Sequence, residues 1–242
     1  MKVPEEVDMV TFQQTEVVPR SYNSRPKDLF LGGESFFYFT AFHYSFKKFR
    51  ERGNQMNPLL LDVPLKLETE RLMLRAPLQA GDGEIVNQAI GDSFYELKSW
   101  LSLFQEPLTV EETEIMLRNA HINFLKRESF RFLIFDKGGN DFIGTTSLHG
   151  IDWDIPKCEI GYWINTKYSG NGYMTEAVKE LVNFGLNNIK FRRIGIRCES
   201  TNLKSRAIPE KLGFVLEGTL RNDDLSADGN KLTDTCVYSI IK

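Results

Sequence analysis

From residue 65 onward the apolar positions switch between a period of two and a period near 3.6, and each switch marks a new element. Leu65, Leu67, Leu72 and Leu74 surround the charged Glu68, Glu70 and Arg71, as in a first strand with an irregular entry that Pro77 ends. Asp82 can cap a helix to about residue 90, and a second helical stretch covers 93–104. Thr109 followed by Glu112 forms a capping box for a helix to residue 126. Segments 130–135 and 142–148 read as strands, joined as a hairpin through Gly138-Gly139-Asn140. A strand at 158–164 precedes a helix at 175–188, a strand at 193–199, a helix at 204–212 and a strand at 214–219. Asp228-Gly229 turns the chain into a last strand at 232–241. Strands outnumber helices and one hairpin lies mid-chain, so the expected fold is α/β (α+β) with a mixed sheet rather than a purely parallel one.

The first 55 residues differ in texture. They hold eight of the eighteen Phe residues, yet the opening stretch 1–28 shows no sustained period. Phe39, Phe42, Phe46 and Phe49 fall at helical spacing beside Lys47, Lys48, Arg50 and Arg52. Three readings are open: an amphipathic helix for a membrane surface or a partner, a helix packed on the following domain, or sequence lying upstream of a natural start at Met56. The third is preferred, which divides the chain into an extension, 1–55, and a domain, 56–242.

Composition narrows the class. The net charge of −3 argues against a general nucleic-acid binder. Cys158, Cys198 and Cys236 sit singly in strand-like segments without metal-ligand spacing, so reduced core thiols and no metal are expected. No run approaches the roughly 18 apolar residues of a membrane span, and no secretion signal opens the chain. The expectation is a cytoplasmic protein without membrane contact.

The densest chemical signal is Lys167-Tyr168-Ser169-Gly170-Asn171-Gly172-Tyr173, between the apolar run 158–164 and a helical run. A strand that breaks into a glycine turn and restarts as a helix leaves amide N–H groups unpaired, and the helix dipole adds partial positive charge. Such a turn suits a phosphate or pyrophosphate, and Gly170 and Gly172 allow close approach. A nucleotide-triphosphate loop would need Gly-Lys-Ser/Thr, and a dinucleotide fingerprint would need a small residue where Thr175 stands; neither pattern is met.

With its surroundings, EIGYWI before it, YMTEA after it, Asn202-Leu203-Lys204-Ser205 and Glu210-Lys211-Leu212-Gly213-Phe214, the turn resembles the GCN5-related N-acetyltransferases (GNAT). More narrowly it resembles the branch that acetylates protein N-termini, including those of ribosomal proteins. The resemblance runs from about residue 65 to the end and is most specific over 159–214. Lys167 departs from the Arg or Gln that usually opens the family's pyrophosphate motif.

The resemblance implies a mixed, mostly antiparallel sheet of about seven strands flanked by about four helices, with acetyl-CoA as co-substrate. It places the pyrophosphate on the backbone of Tyr168, Ser169, Gly170, Asn171, Gly172 and Tyr173, with Lys167 and Met174 among the cofactor-binding residues. It places the pantetheine arm along Trp163 and Ile164, in a splay between the 158–164 and 193–199 strands, with Asn202 and Ser205 matching the family's cofactor-contacting Asn-x-x-Ser. Asn202 also reads as a plain helix cap.

Acetyl transfer needs a neutral amine. About a tenth of an α-amino group is neutral at pH 7, against about 0.04% of a lysine side chain. Glu159, in phase with Gly161 and Trp163 on an apolar strand, is the candidate base, directly or through water, although a solvated salt-bridge partner reads equally simply. Ser205 is the candidate proton donor to the departing thiolate, with Tyr162, Tyr168 or Tyr173 as substitutes, and a backbone N–H from 162–164 would face the oxyanion. Trp100, His149 and Trp153 are candidates for the acceptor wall. The acceptor is a protein or peptide N-terminus, or else a small amine such as an aminoglycoside or polyamine; an acyl-CoA sensor without turnover is the non-enzymatic alternative. A homodimer is compatible with all of these.

Overall fold

The computed structural model describes residues 57–242, which form one mixed sheet with helices on both faces. The helix expected around Phe39 to Phe49 lies outside the described residues.

Strands β1 (Lys66–Glu68), β2 (Leu72–Arg75), β3 (Phe130–Asp136), β4 (Phe142–Asp152), β5 (Lys157–Ile164), β6 (Arg193–Glu199), β7 (Val215–Leu225) and β8 (Leu232–Ile241) stand in the order β1-β2-β3-β4-β5-β6-β8-β7. Every neighbouring pair is antiparallel except β5 and β6. Helices α1 (Gly83–Asp92), α2 (Phe94–Lys98), α3 (Val110–Lys126), α4 (Tyr173–Asn183) and α5 (Leu203–Lys211) complete the fold.

The mixed sheet agrees with the sequence reading, with one strand and one helix more. The irregular entry is a hairpin, in which β1 folds back on β2 with Leu67 opposite Leu74. The stretch 93–104 breaks after α2 and resumes as a short 3-10 turn, Ser102–Phe104. The Thr109 capping box forms as expected: the Thr109 hydroxyl accepts the Glu112 N–H at 3.1 Å, and the Glu112 carboxylate accepts the Thr109 N–H at 2.8 Å. Asp82 precedes α1 but makes no side-chain cap bond. Its carboxylate takes the Arg75 guanidinium at 2.5 and 3.0 Å and the Leu78 N–H at 2.7 Å, a charge-assisted set that outcompetes a neutral amide.

Side-chain alternation splits the core into two layers. On one face Leu72, Leu74, Phe130, Phe132, Ile134, Ile160, Ile194 and Ile196 pack with Met174, Ala177, Val178 and Leu181 of α4 and with Phe124 of α3. On the other, Leu133, Phe135 and Phe142 pack with Val86, Ala89 and Ile90 of α1, Leu97 of α2, and Phe104 and Leu117. This second face continues past Trp163 as Arg131, Ser147, His149, Glu159 and Gly161, all exposed or partly buried. Among the described residues its helical cover stops there, and these positions are partly exposed.

After Asn183 the helix α4 widens into a π-helical turn, Phe184–Ile189, that sets Gly185 against β6; a Cβ on Gly185 would lie 2.7 Å from Ile194 Cδ1. No helix among the described residues is long and apolar enough to cross a membrane.

Candidate active site

The ladder between β5 and β6 is short. Pairing runs from Lys157–Arg193 to Glu159–Gly195 and stops. On its other side β5 stays paired with β4 as far as Ile164–Gly144. The Asn165 N–H donates to the Ile143 carbonyl of β4 at 2.8 Å, and Thr146 Oγ1 donates to the Gly161 carbonyl at 3.2 Å. Odd-numbered residues therefore aim their backbone groups at β4, and by alternation Tyr162 and Ile164 aim theirs into the gap beside β6. A strand edge with N–H and C=O groups facing a gap is ready to pair with an extended, amide-bearing ligand.

That gap is part of a cleft of about 590 Å³. Its walls are residues 160–164 of β5, 196–199 of β6, Asn202, Ser205 and Ile208 around α5, and Leu97, Trp100 and Leu101 from α2 and the turn after it. At one end it meets Ser169, Gly170, Gly172, Met174 and Thr175.

The turn at that end is built from short-range bonds. Asn165 Oδ1 accepts the Lys167 N–H, the Asn165 carbonyl accepts the Tyr168 N–H, and the Thr166 carbonyl accepts the Ser169 N–H. Those three amides are thus engaged inside a 3-10 turn, Thr166–Tyr168. Beyond it Gly170 and Gly172 adopt φ of +82° and +79°, a region that favours glycine. Gly172 caps α4 with no side chain, and the first intrahelical bond is Glu176 N–H to Gly172 O. The amides of Tyr173, Met174 and Thr175 therefore have no intrahelical acceptor and carry the positive end of the helix.

The hairpin β1–β2 braces this turn. Glu176, in the first turn of α4, accepts the Thr69 hydroxyl at 2.5 Å, the Arg71 N–H at 3.0 Å and Arg71 Nε at 2.6 Å. Burial opposes the charge on Glu176, but these bonds win and hold its carboxyl below the usual range. Arg71 also donates to the Asn171 carbonyl at 3.1 Å and stacks over the Tyr173 ring.

The candidate acid and base sit on opposite faces of β5. Glu159 lies on the open face, with His149 Nε2 4.0 Å from its carboxylate and half of each side chain exposed. Gly195 keeps space beside it, since a Cβ there would stand 3.5 Å from Glu159 Cγ. Burial pushes the His149 pKa down, partly offset by Glu159, so the ring is neutral at pH 7. On the other face the Tyr162 hydroxyl donates to the Ser205 carbonyl at 3.0 Å and lies 3.2 Å from Ser205 Oγ. Burial raises the Tyr162 pKa and pushes the Cys198 thiol, also in the cleft wall, up to about 11. Both remain protonated at neutral pH.

A family profile described as an acetyltransferase (GNAT) domain matches residues 71–215. The chain belongs to the GNAT acetyltransferases. The putative ribosomal N-acetyltransferase YdaF of Bacillus subtilis (strain 168) is 32% identical over 171 residues, covering 68% of this chain and 88% of that protein. Among solved structures, the ribosomal L7/L12 α-N-protein acetyltransferase RimL in complex with coenzyme A aligns with a TM-score of 0.67 at 23% identity, over 74% of this chain and 97% of that one. The microcin C7 self-immunity acetyltransferase MccE in complex with acetyl-CoA and AMP aligns with a TM-score of 0.67 at 21% identity, over 74% and 98%. At such identities the two structures speak for the fold: this chain has the GNAT fold, and it is an N-acetyltransferase of that family.

Within the GNAT frame the candidates of the sequence sort by place. Trp163, Ile164, Ser169, Gly170, Gly172, Met174, Asn202, Ser205 and Trp100 all line the cleft. Asn202 caps α5, its Oδ1 accepting the Ser205 N–H at 3.0 Å, as its plain helix-cap reading has it. Glu159 and His149 stand on the open face beside the cleft rather than in its wall. Trp153 is elsewhere: its indole packs on Phe191 at 5.4 Å and Phe130 at 6.4 Å and donates to the Arg127 carbonyl at 3.1 Å, which makes it core filling rather than acceptor wall. The Thr69–Arg71–Glu176 brace escaped the sequence because its members are more than a hundred positions apart; the Glu in YMTEA was its only local trace.

Proposed function

We propose that this GNAT enzyme moves the acetyl group of acetyl-CoA onto the α-amino group of a protein or peptide, by direct transfer in a ternary complex. The observation that carries the reading is the free β5 edge at Tyr162 and Ile164, lying between a loop of unpaired amides and an open sheet face that bears Glu159. The amides of Tyr173 to Thr175, with those at Gly170 and Gly172, would hold the pyrophosphate. The β5 edge would pair with the pantetheine amides, and Asn202 and Ser205 would close the far wall.

The two faces of β5 divide the proton transfers. An amine arriving over the open face meets Glu159, which takes its proton directly or through one water. A thiolate leaving toward the α5 side meets the Ser205 hydroxyl, the candidate proton donor; the raised pKa of Tyr162 makes that phenol the weaker acid and leaves it as a hydrogen-bond partner that fixes Ser205. A backbone N–H from the Tyr162 and Ile164 edge faces the oxyanion between them.

The charges of the acceptor face support a peptide over a small amine. A small cationic substrate calls for a cluster of free carboxylates, whereas Glu159 stands here beside Arg131 and His149, and the nearby Asp223 is taken up by Arg197. Acetyl-CoA should therefore be offered with a panel of N-terminal peptides and, separately, aminoglycosides and polyamines, with products read by mass. Acetylation at the peptide α-nitrogen is expected; turnover of small amines alone would overturn the acceptor, and coenzyme A release with none of them would overturn the enzyme reading.

A further inference from the structure

Among the described residues Arg131 has a side chain without a counter-ion. It projects from β3 onto the same open face as Ser147, Gly161 and Glu159, and it is partly buried. On other strands Arg75 meets the carboxylate of Asp82, Arg193 that of Glu217 and Arg197 that of Asp223, whereas Arg127 at the end of α3 bonds backbone carbonyls instead. Among the described residues no carboxylate lies within 4.0 Å of the Arg131 guanidinium, and no hydrogen-bond acceptor serves it. A cation removed from part of its water without a partner is held at a cost that an anionic ligand would recover. Burial alone lowers its pKa, with no acidic neighbour acting on it.

The surroundings make a track from Arg131 to the cleft. Arg131 stands opposite Ser147, and Ser147 opposite Gly161, so the three form one row across β3, β4 and β5. Gly161 lines the cleft and has no side chain to block the row; a Cβ there would come within 3.1 Å of His149 Cε1. His149 and Glu159 bank the row on one side, Thr145 and Trp163 on the other. The row is floored by the Ser147 hydroxyl and the Gly161 backbone, with the His149 ring leaning over Gly161. Two strand spacings separate Arg131 from Gly161, about 10 Å along the sheet. An extended peptide advances about 3.3–3.6 Å per residue, so an amine at the Gly161 end places the second or third residue within reach of Arg131.

We infer that Arg131 is a specificity-determining residue that binds a carboxylate on the second or third residue of the acceptor, and so selects N-termini with an acidic residue there. The inference rests on the α-amino acceptor reading. Arg131 takes no part in the chemical step; it binds an anchor about 10 Å from the amine.

The test is a peptide series with N-terminal Ser and with Asp, Ala or Lys at the second and third positions, assayed at low and high salt. The wild-type enzyme should favour the Asp peptides over the Ala peptides by about tenfold or more in kcat/KM, chiefly through KM, and the preference should shrink with salt. Arg131→Gln should abolish the preference while leaving the Ala-peptide kcat/KM and the acetyl-CoA affinity unchanged, and Arg131→Glu should turn it toward Lys peptides. Equal kcat/KM for Asp and Ala peptides in the wild type, or a preference that survives Arg131→Gln, overturns the assignment. Should a variant fail to fold, the wild-type ranking and its salt dependence still decide. Peptides acetylated without regard to charge sink this inference alone; peptides never acetylated sink the acceptor reading and this inference together.

Discussion

At the scale of single residues, the division of labour across β5 makes separable predictions. Glu159→Gln keeps the shape and removes the base, so turnover of a peptide should fall about 10²–10⁴-fold while acetyl-CoA affinity, measured by calorimetry, stays put. A variant whose pH–rate profile overlays the wild type would remove Glu159 from the mechanism. His149 carries a different signature. Its folded pKa is lowered below the ordinary 6.5, so below that pH the unfolded chain binds more protons and the native state loses stability as the pH falls. His149→Gln should therefore leave thermal stability unchanged at pH 7.5 and flatten its decline below pH 6.5. The effect is small because the ring is half exposed. An identical decline in both proteins would show that His149 does not titrate as its surroundings dictate.

At the scale of elements, two glycines hold the site open for different reasons. A Cβ on Gly144 would stand 2.4 Å from the Trp163 carbonyl oxygen and 2.9 Å from Ile164 Cα, so Gly144→Ala must push β4 away from β5 at the cleft end of the strand. Destabilisation of about 1–3 kcal/mol in denaturant unfolding is expected, with loss of cofactor affinity because the β5 edge moves too. Gly172 has room, its nearest neighbour being Arg71 Nη2 at 3.6 Å, but its φ of +79° resists a side chain. Gly172→Ala should cost about 1–2 kcal/mol or reshape the turn, weakening acetyl-CoA binding more than it lowers the melting temperature. Equal affinity in this variant would take the turn out of pyrophosphate binding. The same contrast explains what could be read in the sequence. The Thr109 capping box, the glycine turn, β6 and β8 were legible because each is specified by neighbours in the chain. The β1–β2 hairpin was not, since strands of three and four residues carry too little period. Strand β7 extends beyond residue 219 because bulges near Gly218 and before Asp224 break its alternation, and it is exposed on both sides. Asp82, Trp153, the Thr69–Arg71–Glu176 brace and the unpaired Arg131 depend on partners, or on their lack, that only the folded sheet brings together.

At the scale of the whole molecule, the residues proposed above for catalysis lie in one compact unit, Gln55–Lys242. Both core layers, the cleft, the glycine turn and the open acceptor face are built from residues 57–242, and the GNAT match at 71–215 lies inside them. The alignment to YdaF takes 68% of this chain but 88% of that protein, so much of the difference in length falls outside the shared domain. We therefore predict that a protein beginning at Met56 folds and works without the preceding residues. Its melting temperature should lie within about 4 °C of the full chain, corresponding to no more than about 1 kcal/mol for a domain of this size, and its acetyl-CoA affinity should agree within experimental error. Calorimetric unfolding and cofactor titration of the two proteins side by side make the comparison. A truncated protein that melts without cooperativity, or that no longer binds acetyl-CoA, would make the first 55 residues part of the fold. One that folds and binds acetyl-CoA but has lost peptide turnover would instead assign them to acceptor recognition, because the base and the acid proposed above, Glu159 and Ser205, are both retained in it.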